Sequence, residues 1–157
     1  MANELILMLH PSFGVLAILA SLWVFVEALN TESRVSAGRI RVASLACAVL
    51  MWLSYLVGGY WYVLFYGADK ALINAGPWPF AHSFFMETKE HVFFTLLLLA
   101  SYLPVAAFNL TSNRAVRTLV LSVAGLIIVL GLAMEGAGAF ISMGSKMALL
   151  GKVAAGM

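Results

Sequence analysis

The chain has 157 residues, 63% hydrophobic and 10% charged, with a formal net charge of +2. Soluble domains average about 25% charged residues, so this composition, at a mean hydropathy of +0.99, excludes an ordinary water-facing surface and points to a membrane protein. The small, dispersed charge leaves no nucleic-acid footprint, and a lone cysteine, Cys47, excludes an internal disulfide and CxxC or zinc-finger chemistry.

The first stretch, MANELILMLHPSFG, has no basic start and carries Glu4. A cleaved signal peptide begins with positive charge, so the first apolar run is expected to be retained. A hydrocarbon core about 30 Å thick needs about 20 apolar residues in a helix. Residues 5–29 are the first stretch to satisfy that. Pro11 suits a first helical position and disfavours helix at His10, so the span is expected to start there, with NELILML as a separate leading segment. Glu27, near the far end, is expected to pair with Arg39 or Arg41.

The second span is read as 40–66. Its Tyr55, Gly58, Tyr62 and Tyr66 recur at helical spacing, and glycine beside tyrosine suits close packing or a flat cofactor. Cys47 is read as a packing residue. The connector GADKALINAGPWP follows, with Asp69 and Lys70 as a solvated pair.

The third span, 80–108, is the informative one. Within HSFFMETKEHVFF it carries Glu87, Lys89, Glu90 and His91. At 100° per residue, Glu87, Glu90 and His91 share an arc of roughly 100° and are expected to face inward, with Lys89 projecting away on the side of His82. Charges at mid-membrane cost about 2.5–3.5 kcal/mol each, so the whole set demands pairing, protonation or a bound cation. Pro104 is expected to kink the opposite half. After the connector NLTSNRAV, whose Asn109-Leu110-Thr111 sequon is read as chance, the fourth span covers 117–143. Gly131, Glu135, Gly138 and Ser142 form a small, polar stripe on it. The tail, 144–157, is read as a frayed or interfacial extension.

Short connectors predict a single domain over 1–157. The expected fold is an all-α integral membrane protein, an antiparallel up-down-up-down four-transmembrane-helix bundle. Arg34, Arg39, Arg41, Arg114 and Arg117 on one side against Lys70, Lys146 and Lys152 on the other orient both termini outward by the positive-inside rule. In a cell that is expected to be the inner membrane. Counted from the outer span ends, His10, Glu87, Glu135 and His91 fall at ~8, ~10, ~12 and ~16 Å, one shared depth.

Imidazoles and carboxylates at one depth suggest cofactor chemistry. The leading expectation is a small membrane cytochrome, with a b-type haem held by His10 and His91 or by His10 and His82. Tyr62 and Lys89 would flank the group. Such a protein would pass electrons between membrane quinol and an outer-side carrier, alone, as a homo-oligomer or in a larger complex. The alternative is a non-haem iron or other transition-metal centre built from His10, Glu87, Glu90, His91 and Glu135, although the usual Glu-x-x-His spacing is absent. A third reading uses the same groups as proton relays in a proton- or cation-coupled carrier, or as the polar stripe of an accessory subunit.

Overall fold

The computed structural model describes residues 2–30, 34–109, 114–154 and 156. All elements within these residues are helical. They are α1 (Ala2–Leu29), α2 (Arg34–Ala75), a π-helical segment (Ala81–Met86) leading directly into α3 (Glu87–Phe108), and α4 (Arg114–Ala154). Four helices are long and apolar enough to cross a membrane. Leu110 and Thr111 of the sequon lie outside the described residues, as does the Arg34 side chain.

The helices form one four-helix bundle. Each of α1 and α3 packs on both α2 and α4, so α1 and α3 occupy opposite corners and meet through side chains such as His10 and Phe93, whose ring centroids are 6.3 Å apart. Small residues govern the spacing. Ala17, Ala28, Ala100 and Ala124 are fully buried along the seam, and such residues let apolar helices approach closely. Ser21 Oγ donates to the Ala124 carbonyl at 3.1 Å, and Trp52 Nε1 donates to Ser101 Oγ at 3.0 Å. Each contact satisfies a polar group that hydrocarbon would leave unpaired.

Arginines close one end. Arg39 pairs with Glu27 at 2.9 Å, as expected. Arg41 donates to the Phe108 carbonyl at 3.1 Å, and Arg117 donates to the carbonyls of Ala28 and Leu29. Helix C-termini carry unpaired carbonyls, and these guanidinium groups supply the missing donors.

Three boundaries differ from the sequence reading. First, α1 runs straight through Pro11. The missing proline N–H removes the one helical bond that the Leu7 carbonyl would accept, but Ser54 Oγ donates to the His10 carbonyl, so His10 is held within the helix. Second, α2 continues to Ala75, because ADKALINA is polar yet rich in good helix formers; the connector shrinks to 76–80. Third, the tail, expected to be a frayed or interfacial extension, is helical to Ala154 and so not frayed up to that residue. At 42 and 41 residues, α2 and α4 are ~60 Å long, about twice the thickness of a hydrocarbon core. Their far halves clasp the π-helical segment around Tyr66, Ile73, Ala81, Met86 and Ile141. Gly144 lies against Ala81 and Gly76 against Ala148, at separations where an added Cβ would sit 2.6 and 2.5 Å from the facing methyl. These glycines allow the clasp to close.

Candidate functional site

Four helices each contribute one polar side chain to a single layer: His10 from α1, Ser54 from α2, Lys89 from α3 and Glu135 from α4. Measured from Leu29, Arg41, Phe108 and Arg117 at the arginine end, at about 1.5 Å per residue, they stand ~28, ~20, ~28 and ~27 Å away. Between His91, ~26 Å from the arginine end, and Glu27, ~3 Å from it, the four helices carry no Asp, Glu, His, Lys or Arg.

His10 is the best-defined member. Its Nδ1 lies 2.8 Å from the Ser54 carbonyl and 3.1 Å from Ser54 Oγ. A carbonyl only accepts, so Nδ1 carries the proton and Nε2 presents a lone pair. The Ser54 hydroxyl, at 3.0 Å from the His10 carbonyl, donates there in return. The ring rests on Gly58, where a Cβ would come within 2.5 Å of Nδ1. Glycine is required at that position because any side chain would displace the imidazole.

Lys89 and Glu135 face the same space. The Lys89 ammonium lies over Gly138, 3.0 Å from where a Cβ would be, within electrostatic reach of both Glu135 and His10. One Glu135 carboxylate oxygen packs against Gly14, with Ser54 Oγ beside it. Gly14, Gly58 and Gly138 thus form the floor on which the imidazole, carboxylate and ammonium lie. Phe93 and Tyr55, stacked at 5.7 Å, wall one side.

A second set of groups leads away from the arginine end. The Tyr62 phenol lies against the Glu90 carboxylate, whose Oε1 is buried without a hydrogen-bond partner. Tyr62 stacks on Tyr66 at 5.1 Å, and Tyr66 Oη is 3.0 Å from His82 Nδ1. Proton-exchanging groups therefore continue from the layer towards the clasp end.

The sequence reading named most of these residues but turned α3 the wrong way. Met86, Leu96, Leu97, Ala100 and Leu103 are buried, and that stripe carries Lys89 and Phe93 inward with it. Glu87 and His91 are exposed on the outer face. There His91 Nδ1 donates to the Glu87 carbonyl of its own helix at 2.7 Å. The expected metal set of His10, Glu87, Glu90, His91 and Glu135 is therefore not assembled within one chain. Among the described residues, no three His, Cys, Asp or Glu side chains converge as a metal-holding group. The buried Ala100 was the available signal, since a small residue one stripe below Lys89 marks the packed side. Ser54 carried no signal of its own, because a serine in an apolar helix reads the same whether it faces a histidine or lipid.

The cavity bounded by Gly14, Met51, Phe93, Met134 and Glu135 measures about 10 Å³, room for about one water. A groove of about 590 Å³ lies on the opposite half, between α1 and α2, lined by Leu16, Leu19, Trp23, Arg39, Val42 and Ala46. Comparison with protein-family models, with curated proteins and with solved structures gives no match in any of the three.

Proposed function

We propose that the chain is an integral membrane protein that exchanges protons between the outer aqueous phase and a partner or substrate in the outer leaflet, as a proton-coupled component of a membrane complex. In this reading the four helices run up-down-up-down, with both termini and the clasp outside and the arginine end inside; in a cell the membrane is the inner one. The observation that carries it is the shared layer of His10, Ser54, Lys89 and Glu135, above a stretch of about 20 Å in which the four helices carry no Asp, Glu, His, Lys or Arg. Groups that gain and lose protons meet there, and Glu90, Tyr62, Tyr66 and His82 continue outward from it. Intramembrane carboxylates and histidines serve this purpose in proton-moving proteins. The apolar inner half gives protons no stepping stone to the other side, so exchange is one-sided in this conformation.

The chain's residues divide the work by chemistry. His10, with Nδ1 fixed on Ser54, accepts or returns a proton at Nε2. Glu135 is the carboxylate partner. Lys89 supplies positive charge between them and stabilises whichever anion a departing proton leaves. The test is pH-difference infrared spectroscopy on oriented, sealed proteoliposomes. The component of the carboxyl difference spectrum that is lost in Glu135→Gln should follow external pH. A spectrum unchanged by this substitution, or a lost component that follows internal pH, defeats the proposal.

The cytochrome reading keeps one support. His91 holds Nδ1 on a carbonyl and leaves Nε2 free on an exposed face, the presentation that an axial imidazole needs. A b-type haem, exchanging electrons with membrane quinol or an outer redox carrier, would then sit on the outside of α3 rather than between His10 and a second histidine. An optical spectrum of protein purified from haem-sufficient cells decides this: no Soret band removes the reading.

A further inference from the structure

The groove between α1 and α2 combines a hydrocarbon trough with a charged end. Its volume is about 590 Å³, and pockets that enclose a small molecule run about 300–1,000 Å³. Leu16 and Trp23 line the α1 side, Val42 and Ala46 the α2 side, and Arg39 is the one charged residue of the lining. The α2 wall, from Gly38 to Ala46, is ~12 Å long, most of one leaflet of a core about 30 Å thick.

Glu27 builds that charged end. Its carboxylate accepts from Trp23 Nε1 at 3.3 Å on its own helix and from Arg39 Nη2 at 3.1 Å on α2, with Arg39 Nε 2.9 Å away. One carboxylate thus holds two side chains of the lining, an indole and a guanidinium. The carboxylate is largely buried, whereas the guanidinium is half exposed. A guanidinium carries five N–H donors in a fixed fork. Its Nε edge is spent on Glu27, and among the described residues Nη1 has no hydrogen-bond partner. The surrounding end carries excess positive charge, since residues 27–41 and 114–117 hold five arginines against two glutamates. Arg41 and Arg117 donate to helix-end carbonyls, which satisfies N–H groups and leaves the charge uncompensated. A hydrocarbon trough that ends at a half-exposed arginine, in a positive field, matches one membrane component in both of its parts.

We propose that this groove binds an anionic phospholipid from the leaflet at the arginine end, with an acyl chain in the trough and the lipid phosphate on the outward edge of Arg39. Guanidinium groups match phosphate oxygens two at a time, and basic pockets between transmembrane helices are where anionic headgroups dock. The acyl chain lies along Leu16, Val42 and Ala46, beside the Trp23 ring. The inference takes from the proposed function only that the helices span a membrane. Which leaflet is the inner one does not enter. Lipid binding and the infrared response of Glu135 are read separately, so either can fail alone.

The test uses the full-length chain in phosphatidylcholine vesicles doped with lipid brominated on its acyl chains, either phosphatidylglycerol or phosphatidylcholine. Bromine quenches tryptophan fluorescence on contact, and the Trp23 part of the signal is the part lost in Trp23→Phe. Brominated phosphatidylglycerol should quench Trp23 at a mole fraction about five-fold lower than brominated phosphatidylcholine, the factor that one arginine at a membrane surface supplies. Arg39→Gln should remove this preference. Gly38→Leu should remove it too: nothing lies within 4 Å of the Gly38 Cβ position, so the new side chain fills the groove without displacing a neighbour. Leucine is also the better helix former, so helix content and thermal midpoint should be retained. Gly59→Leu, at an equally open position on α2 beyond Ser54, should keep the preference. Equal quenching by the two lipids overturns the proposal. So does a preference that survives Arg39→Gln or Gly38→Leu, which marks general attraction to the arginine end. A preference lost in Gly59→Leu overturns it equally.

Discussion

Replacing Gly58 with alanine is the sharpest probe of the buried layer. The new Cβ would stand 2.5 Å from His10 Nδ1, 2.7 Å from Cε1 and 3.0 Å from Cγ. All three atoms belong to one rigid ring, which the two Ser54 contacts hold in place. Either the ring leaves Ser54 or α1 moves off α2. Overpacking of this kind costs about 1–3 kcal/mol, and a lost hydrogen bond about 1 kcal/mol more. Alanine returns at most about 1 kcal/mol as the better helix former. The net expectation is a loss of about 1–3 kcal/mol. Gly59, the next residue, has nothing within 4 Å of its Cβ position, so Gly59→Ala should be neutral or stabilising by up to about 1 kcal/mol. Unfolding in mixed micelles with increasing dodecyl sulfate measures both. Removing the ring removes the clash, so Gly58→Ala should cost far less in a His10→Ala background. The coupling should be about 1–3 kcal/mol. Equal shifts for the two glycine variants, or strict additivity with His10→Ala, would refute the arrangement.

Other consequences follow from the same contacts. Lys89→Met and Glu135→Gln should each destabilise by up to about 3 kcal/mol, by leaving the other charge buried alone, and the double variant should cost less than their sum; additivity in the same unfolding assay would separate the two groups. Gly144→Ala and Gly76→Ala crowd Ala81 and Ala148, so amide exchange over 73–86 should accelerate in both. Gly67→Ala, with open space at its Cβ position, should leave that exchange unchanged. Cys47 is fully buried; a maleimide should label it only after unfolding, and rapid labelling of the folded protein contradicts the packing. Glu27→Ala removes the Arg39 ion pair, whose arginine is half exposed, and should cost about 0.5 kcal/mol with no change in the infrared band of Glu135.

Much of the site was legible as residue types and depths. His10, Gly14, Ala17 and Ser21 recur at helical spacing in the sequence, and in the bundle Gly14, Ala17 and Ser21 are buried while His10 binds Ser54. Tyr66 shares its spacing with Gly58 and Tyr62, and it is buried on His82. The third helix failed because its four ionisable groups cover more than half of its circumference. Polarity therefore could not show which side packs, and the weaker signal of Met86, Leu96 and Ala100 decided it. The ends failed for a related reason. Polarity was used as a proxy for loop in ADKALINA, and glycine as a proxy for fraying in the tail, but helix propensity and a glycine-mediated clasp prevailed in the structure.

Composition and periodicity alone determined that this chain is four long apolar helices with His10, Lys89 and Glu135 at similar depths, because hydrophobic run length and residue order are local properties. Which of those groups meet was decided by rotation of each helix about its axis. Rotation is set by contacts between distant residues: Gly58 admitting His10, Gly14 admitting Glu135, and Gly138 admitting Lys89. His91 lies two residues beyond Lys89, about 160° around the helix, so the facing that turns Lys89 into the bundle leaves His91 exposed.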